Sequence, residues 1–196
     1  MKTAILSGSV RNGRHSHKIA YYLERQLEDR GIKADLIDLR ENPLPVFGEP
    51  TGQNDQLPGH VRDLGRRLDQ ADAILLVTPE YHGSFSGALK NALDYFWSEF
   101  SKKPIGVATA SAGRMGGINA STQLQHVILS LGAYALPAKL IVPEISNAFY
   151  DESYEPRNER IIKSTNKFLD EFLWLAEAVY LKKNPKDRLE YEENKL

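Results

Sequence analysis

Residues 71–97 read ADAILLVTPEYHGSFSGALKNALDYFW and combine an apolar run, a turn and a helical pattern. The apolar run, Ala71 to Val77, stops at Thr78-Pro79, where proline fixes its own φ and offers no backbone N–H donor. Beyond Ser86 the apolar residues follow one helical face, at Leu89, Ala92, Leu93, Phe96 and Trp97. A short apolar strand that leads into a helix is the building unit of a parallel α/β sheet.

The same alternation of strand and helix continues on both sides of this stretch. Four further apolar runs are Thr3–Leu6, Ala34–Leu39, Ile105–Ala110 and Ala138–Val142. Helical patterns lie between and after them, over 16–30, 61–68, 118–131 and 159–181. We therefore predict an α/β fold, a flavodoxin-like three-layer sandwich with a five-stranded parallel sheet of order 2-1-3-4-5 and helices on both faces. We expect one domain over residues 1–183 and a polar tail over 184–196.

Composition narrows the possible functions. The chain has 196 residues, 25 Lys and Arg, 26 Asp and Glu, and no cysteine. It therefore has no disulfide, no thiolate metal site and no dithiol motif, so any redox chemistry needs a cofactor. A net charge of −1 argues against a strongly basic nucleic-acid surface. Without a signal-peptide pattern or a long apolar stretch, we expect a cytoplasmic protein with no nucleic-acid and no membrane partner.

The loop after the first run, residues 8–17, contains glycine, hydroxyls and cations and leads into a helix. Free backbone N–H groups at the start of a helix favour the binding of an anion, and phosphate is the ligand we expect there. The loop is neither a P-loop nor a G-x-G-x-x-G fingerprint, although Asp38 lies where a ribose-binding acid of a dinucleotide site could stand. An ordinary polar turn with a serine N-cap is the alternative. His15 and His17 lack a third ligand nearby, so no metal site is expected.

The loop after the third run offers a rigid entry at Pro79, a flat side chain at Tyr81 and the permissive residues Gly83 and Gly87. Such a loop suits a planar heteroaromatic ring. A tight strand-to-helix turn with Tyr81 packed on the surface is the plain alternative.

Three loops together resemble one family. Pro79-Glu-Tyr-His-Gly-Ser84, followed by Gly87-Ala-Leu-Lys-Asn-Ala-Leu-Asp94, resembles the signature of the NADPH-dependent FMN reductase family, which includes azoreductases, chromate reductases and quinone reductases. The loop Gly8-Ser-Val-Arg11 is similar to the family's phosphate loop, and residues 111–120 resemble its third flavin-side loop. The resemblance spans about residues 1 to 145.

This resemblance implies an FMN site with three parts. Ser9, Arg11 and Ser16 would hold the phosphate. Pro79, Glu80, Tyr81, His82, Gly83 and Ser84 would line the isoalloxazine and the ribityl chain, largely through backbone groups. Ser111, Ala112 and Gly113 would close the other side.

The resemblance also implies the chemistry. FMN would carry the reaction without a catalytic side chain, NADPH or NADH would be the donor, and a small molecule would be the acceptor. The family further implies a homodimer or homotetramer. Two other hypotheses remain open: a flavodoxin-type electron carrier, and a dinucleotide-binding protein without flavin.

Overall fold

The computed structural model describes residues 1–48 and 57–187. The strands are β1 (Lys2–Ser7), β2 (Lys33–Asp38), β3 (Ala73–Tyr81), β4 (Ser84–Phe85), β5 (Pro104–Ala110) and β6 (Tyr134–Val142). The helices are α1 (His17–Glu28), α2 (Gly59–Asp69), α3 (Gly87–Tyr95), α4 (Ile118–Ser130) and α5 (Glu159–Lys183), with a short 3-10 helix at Ile145–Asn147.

Five of these strands form a parallel sheet in the order β2-β1-β3-β5-β6. Counted without β4, this is the predicted order, so the flavodoxin-like α/β fold is confirmed. The strand count is wrong by one, because the two-residue β4 pairs antiparallel with the end of β3. The residues between them, His82 and Gly83, have φ values of 50° and 78°. Two successive positive φ values are typical of the type I′ turns that close two-residue hairpins.

Helices cover both faces of the sheet, and alternate strand residues reach opposite sides. Ile5 packs with α1 and α5, where Phe168 and Phe172 are fully buried. Leu6 packs on the other face with residues of α2, α3 and α4. This alternation explains why the strands read as continuous apolar runs, since both of their faces are covered.

The helix predicted over 86–97 is shorter than expected. The Ser86 side chain caps it by accepting a hydrogen bond from the backbone N–H of Leu89 (3.2 Å), but the helix ends at Tyr95 because Phe96 adopts an extended backbone. Phe96 still reaches the core, whereas Trp97 is 72% exposed.

The last part of the chain is described only as far as Asp187. The long helix ends with Asn184 at its C-cap, and a further helical turn follows at residues 185–187. The remainder of the predicted polar tail, 188–196, lies outside the described residues. Among the helices that the structure describes, none is both long and apolar enough to cross a bilayer.

Candidate functional site

The ends of β1, β3, β5 and β6 surround one cavity at the carboxyl edge of the sheet. Eight of the predicted site residues line it: Ser9, Arg11, Ser16, Pro79, Glu80, Tyr81, Ser111 and Ala112. The other four predicted residues, His82, Gly83, Ser84 and Gly113, are not among its lining residues. The cavity lies where ligands bind in open parallel sheets, outside the carboxyl ends of the strands.

One end of this cavity is suited to an anion. Ser9 and Ser16 are almost fully buried. Ser16 is the N-cap residue of α1, yet its side chain makes no capping hydrogen bond, contrary to the alternative of an ordinary serine cap. Within the described residues, the backbone N–H groups of Ser16 and His17 also have no protein acceptor. Hydroxyls and amides therefore remain available for a bound phosphate, with Arg11 beside them.

Arg14 shapes the loop rather than remaining a free cation. Its guanidinium donates two hydrogen bonds of 2.5 Å to the carboxylate of Asp38 and one of 2.6 Å to the backbone carbonyl of Ser9. Asp38 is thereby occupied, and it also accepts a bond from the backbone N–H of Arg40 (3.0 Å). The single residue that favoured a dinucleotide site without flavin is thus committed to holding the loop.

The β3–β4 hairpin forms one wall of the cavity. The hydroxyls of Tyr81 and Ser9 lie 3.3 Å apart and join this hairpin to the loop after β1. The Glu80 carboxylate accepts a hydrogen bond from the backbone N–H of Ala120 (3.0 Å), in the first turn of α4. Glu80 therefore supports α4 with its side chain, as an acid near a helix N-terminus should.

Two hydrogen bonds connect the turn of the β3–β4 hairpin to α4. The Ser84 hydroxyl donates to the Gln123 side-chain oxygen (2.7 Å), and the Gln123 amide donates to the carbonyl of Gly83 (2.9 Å). The His82 side chain is exposed. These three predicted site residues thus build the turn that positions Tyr81.

The loop after β5 forms the opposite wall. Ser111 donates through its hydroxyl to the carbonyl of Gly113 (2.9 Å), and its own carbonyl accepts from the backbone N–H of Ile145 (3.1 Å). The Gly113 carbonyl also accepts from the backbone N–H of Glu144 (3.1 Å). Gly113 therefore ties this loop to the segment after β6.

Five lining residues lie outside the predicted site: Arg14, His15, Ala110, Ile145 and Ser146. The first two belong to the loop already singled out, and Ala110 is the last residue of a predicted strand. Ile145 and Ser146 follow the last strand at the same edge of the sheet, and this position is the signal that would have found them.

His17, beside Ser16 at the start of α1, adds no charge to the anion-binding end at neutral pH. The pKa of His17 falls to about 4, first because its ring is removed from water and then because Arg14 and Lys18 are close. His17 is therefore neutral at neutral pH. In the part of the chain that the structure describes, no group of three or more His, Cys, Asp or Glu side chains could hold a metal ion.

Comparison with known proteins agrees with this geometry. The sequence model of the family described as NADPH-dependent FMN reductase matches residues 1–147. The chain belongs to this family. The FMN-dependent NADPH-azoreductases of Staphylococcus haemolyticus and Staphylococcus aureus are 36% identical to it over 146 residues, which cover 71% of this chain and 76% of each relative.

Solved structures place the family fold over most of the chain. FerB, a flavoenzyme NAD(P)H:(acceptor) oxidoreductase from Paracoccus denitrificans, superposes with a TM-score of 0.77 and 25% identity, covering 90% of this chain and 97% of that one. The apo form of the NADH:FMN oxidoreductase EMOB superposes with a TM-score of 0.70 and 18% identity, covering 88% of each chain, and shows the shared fold alone.

Proposed function

We propose that this protein is an FMN-dependent oxidoreductase that takes electrons from NADPH or NADH and delivers them to a small-molecule acceptor. The observation that carries the proposal is the shape of the first cavity. Its hydroxyl-rich end suits an anion, and the loops after β3 and β5 form two walls that face each other across it. Membership of the NADPH-dependent FMN reductase family supports the same cofactor and donor.

The side chains present fit FMN. Ser9, Ser16 and Arg11 offer hydroxyl and charged donors to a phosphate, and the hydroxyl of Ser16 lacks a protein partner within the described residues. Pro79 and Tyr81 offer flat surfaces to a planar ring, while Ser111 and Ala112 are small enough to let a ring approach on the other side. We assign His82, Gly83, Ser84 and Gly113 to the support of these walls.

The bound flavin supplies the hydride-accepting and electron-transferring chemistry, and the protein supplies binding, orientation and electrostatics. The chain needs no general acid or base of its own. Its backbone N–H groups along the hairpin and the β5 loop would orient the ring and stabilise negative charge that develops on it. The nucleotide and the acceptor would use the same open side of the cavity in turn.

The acceptor we propose is a small oxidant such as an azo dye, a quinone, a metal oxyanion or a free flavin. The azoreductase activity named for the staphylococcal relatives favours the azo class. A flavodoxin-type carrier is the alternative, since an archaeal flavodoxin shares the fold with a TM-score of 0.59 and 11% identity. The net charge of only −1 and the arginines of the phosphate loop favour the reductase.

An absorption spectrum of the purified protein tests the proposal. We expect a flavin spectrum, either as isolated or after FMN is added, which bleaches when NADPH or NADH is added without oxygen. A protein that neither binds FMN nor oxidises NADPH with a dye present would contradict the proposal. A flavin that bleaches only when a separate reductase is added would identify the carrier instead.

We also propose that the protein is cytoplasmic, that residues 1–183 act as one FMN-binding domain, and that two or four copies assemble. The exposed large apolar side chains include Val46, Phe47 and Trp97 around α3, and Trp174 on α5. Such exposed aromatics are typical of subunit contacts. Light scattering of the purified protein should give the mass of a dimer or a tetramer, and a monomer mass at micromolar concentration would contradict this part.

A further inference from the structure

A second cavity of about 300 Å³ lies beside the loop after β1, on the side of α3. Its apolar lining comes from Val10, Leu39, Pro43, Leu44 and Ala88, and Arg40 supplies the charge. Small-molecule sites in proteins start at roughly this size and have this composition, a mainly apolar slot with few polar groups.

The two cavities share one loop. Ser9 and Arg11 line the first cavity, and Val10 between them lines the second. Along the sheet edge, β3 with Tyr81 and β2 with the following Arg40 stand on either side of β1. Because β1 lies between them, β2 and β3 are two strand spacings apart, about 10 Å. An extended dinucleotide is longer than this, so one molecule can reach from the first cavity into the second.

The wall of this second cavity is held in place by α3. The Asn91 side chain donates to the carbonyl of Pro45 (2.8 Å) and accepts from the backbone N–H of Phe47 (2.8 Å). The Tyr95 hydroxyl donates to the same carbonyl of Pro45 (3.1 Å). These hydrogen bonds fix the segment that carries Pro43 and Leu44 against the helix.

Arg40 keeps most of its hydrogen-bonding capacity. Within the described residues its guanidinium donates one side-chain bond, to the Asn12 oxygen (2.9 Å), out of the five N–H groups that an arginine offers. The nearby acid Asp38 is already paired with Arg14, so its charge does not cancel that of Arg40. Glu41 is the remaining acid next to Arg40 in the chain, and it is exposed.

We propose that this second cavity receives the adenosine end of the reduced nucleotide and that Arg40 binds the 2′-phosphate, which NADPH carries and NADH lacks. The apolar slot suits the purine, and a guanidinium beside it suits a phosphate because it forms two parallel, charge-assisted hydrogen bonds. The inference rests on the proposed function, since it places the donor of the same reaction.

The test compares three variants of the FMN-loaded protein. Arg40→Ala removes the charge, Arg40→Lys keeps the charge without the planar fork, and Arg66→Ala is the control. Arg66 is exposed on α2 and pairs with Asp63, away from both cavities. Two quantities are measured: kcat/KM for NADPH and for NADH, and the affinity of adenosine 2′,5′-bisphosphate by calorimetry.

We expect Arg40→Ala to lower the ratio of kcat/KM for NADPH over NADH on the order of tenfold, as loss of a hydrogen-bonded charge does. The bisphosphate should lose affinity by a similar factor, Arg40→Lys should lose less, and Arg66→Ala should match the wild type. A ratio and a bisphosphate affinity that stay unchanged in Arg40→Ala would overturn the inference and leave the proposed function intact. If neither nucleotide reduces the wild-type flavin, the proposed function fails, and the inference fails with it.

Discussion

The guanidinium of Arg14 forms a two-pronged ion pair with the carboxylate of Asp38, with both N···O distances at 2.5 Å. The pair joins the loop after β1 to the end of β2, and both side chains are more than nine-tenths buried. A third bond, from Arg14 to the Ser9 carbonyl, extends this link to the anion-binding end of the cavity. One ion pair therefore fixes the backbone on which the proposed phosphate site is built.

Removing one partner of this pair should destabilise the fold strongly. Arg14→Ala leaves the Asp38 carboxylate buried without its counter-charge, and we expect the free energy of unfolding to fall by about 3 to 5 kcal/mol. Urea denaturation of the apoprotein measures this change. The double variant Arg14→Ala/Asp38→Ala should lose less than the sum of the two single variants, because no unpaired charge remains in it. Additive losses would show that the two side chains are not coupled.

Arg11 should contribute to cofactor affinity but little to folding. It lines the first cavity, is exposed, and makes no ion pair within the described residues. Arg11→Ala should weaken FMN binding on the order of tenfold to a hundredfold, as for other hydrogen bonds to charged groups, with little change in the stability of the apoprotein. Quenching of flavin fluorescence measures the affinity. Riboflavin, which lacks the phosphate, is the control ligand and should bind both proteins alike. Unchanged FMN affinity would remove Arg11 from the site.

The sequence predicts the arrangement of the long strands because each one is a continuous apolar run followed by a helical pattern. It misses β4, since Ser84 and Phe85 are too few to show any periodicity. It does identify the loop that contains them, because proline, glycine and the Ser86 cap act locally on the backbone.

The site is predictable only in part, for a similar reason. Ser9, Tyr81 and Ser111 lie in loops with a recognisable composition, and the structure brings them to one cavity. The pairing of Arg14 with Asp38 joins residues that are 24 positions apart, and no local sequence pattern predicts this contact. Ile145 and Ser146 belong to a segment without a motif. Only their position just after the last strand points to this edge of the sheet, and the folded chain shows that they line the cavity.

Gly8 should tolerate no side chain, because the loop after β1 passes very close to α3 at this point. A Cβ atom built on Gly8 would lie 2.8 Å from Cβ of Leu89 and 3.3 Å from the backbone oxygen of Val77. Gly8→Ala should lower the free energy of unfolding by about 1 to 3 kcal/mol, since the packed backbone has to shift. Gly87→Ala is the matched control, because nothing lies within 4 Å of its added Cβ. Thermal melting that ranks the two variants equally would contradict the close packing at Gly8.

His17 gives the fold a pH dependence of definite sign. Burial of the ring, helped by the charges of Arg14 and Lys18, lowers the pKa of His17 from 6.5 to about 4. The position at the start of α1 acts in the same direction, since a helix N-terminus disfavours a cation. The unfolded chain therefore takes up this proton near pH 6.5, whereas the folded chain does so only near pH 4. Between these values the unfolded state binds more protons, so stability rises with pH.

As the pH falls from 6.5 to 4, we expect the titration of His17 to lower the free energy of unfolding by about 1 to 2 kcal/mol. This is less than the full pKa shift implies, because water screens a half-buried ring. His17→Gln should lose this component, and its stability should fall less steeply than that of the wild type over the same interval. Urea denaturation of both proteins at several pH values gives the difference directly, since every other titrating group is shared. Parallel curves for the two proteins would show that His17 titrates alike in the folded and unfolded chains.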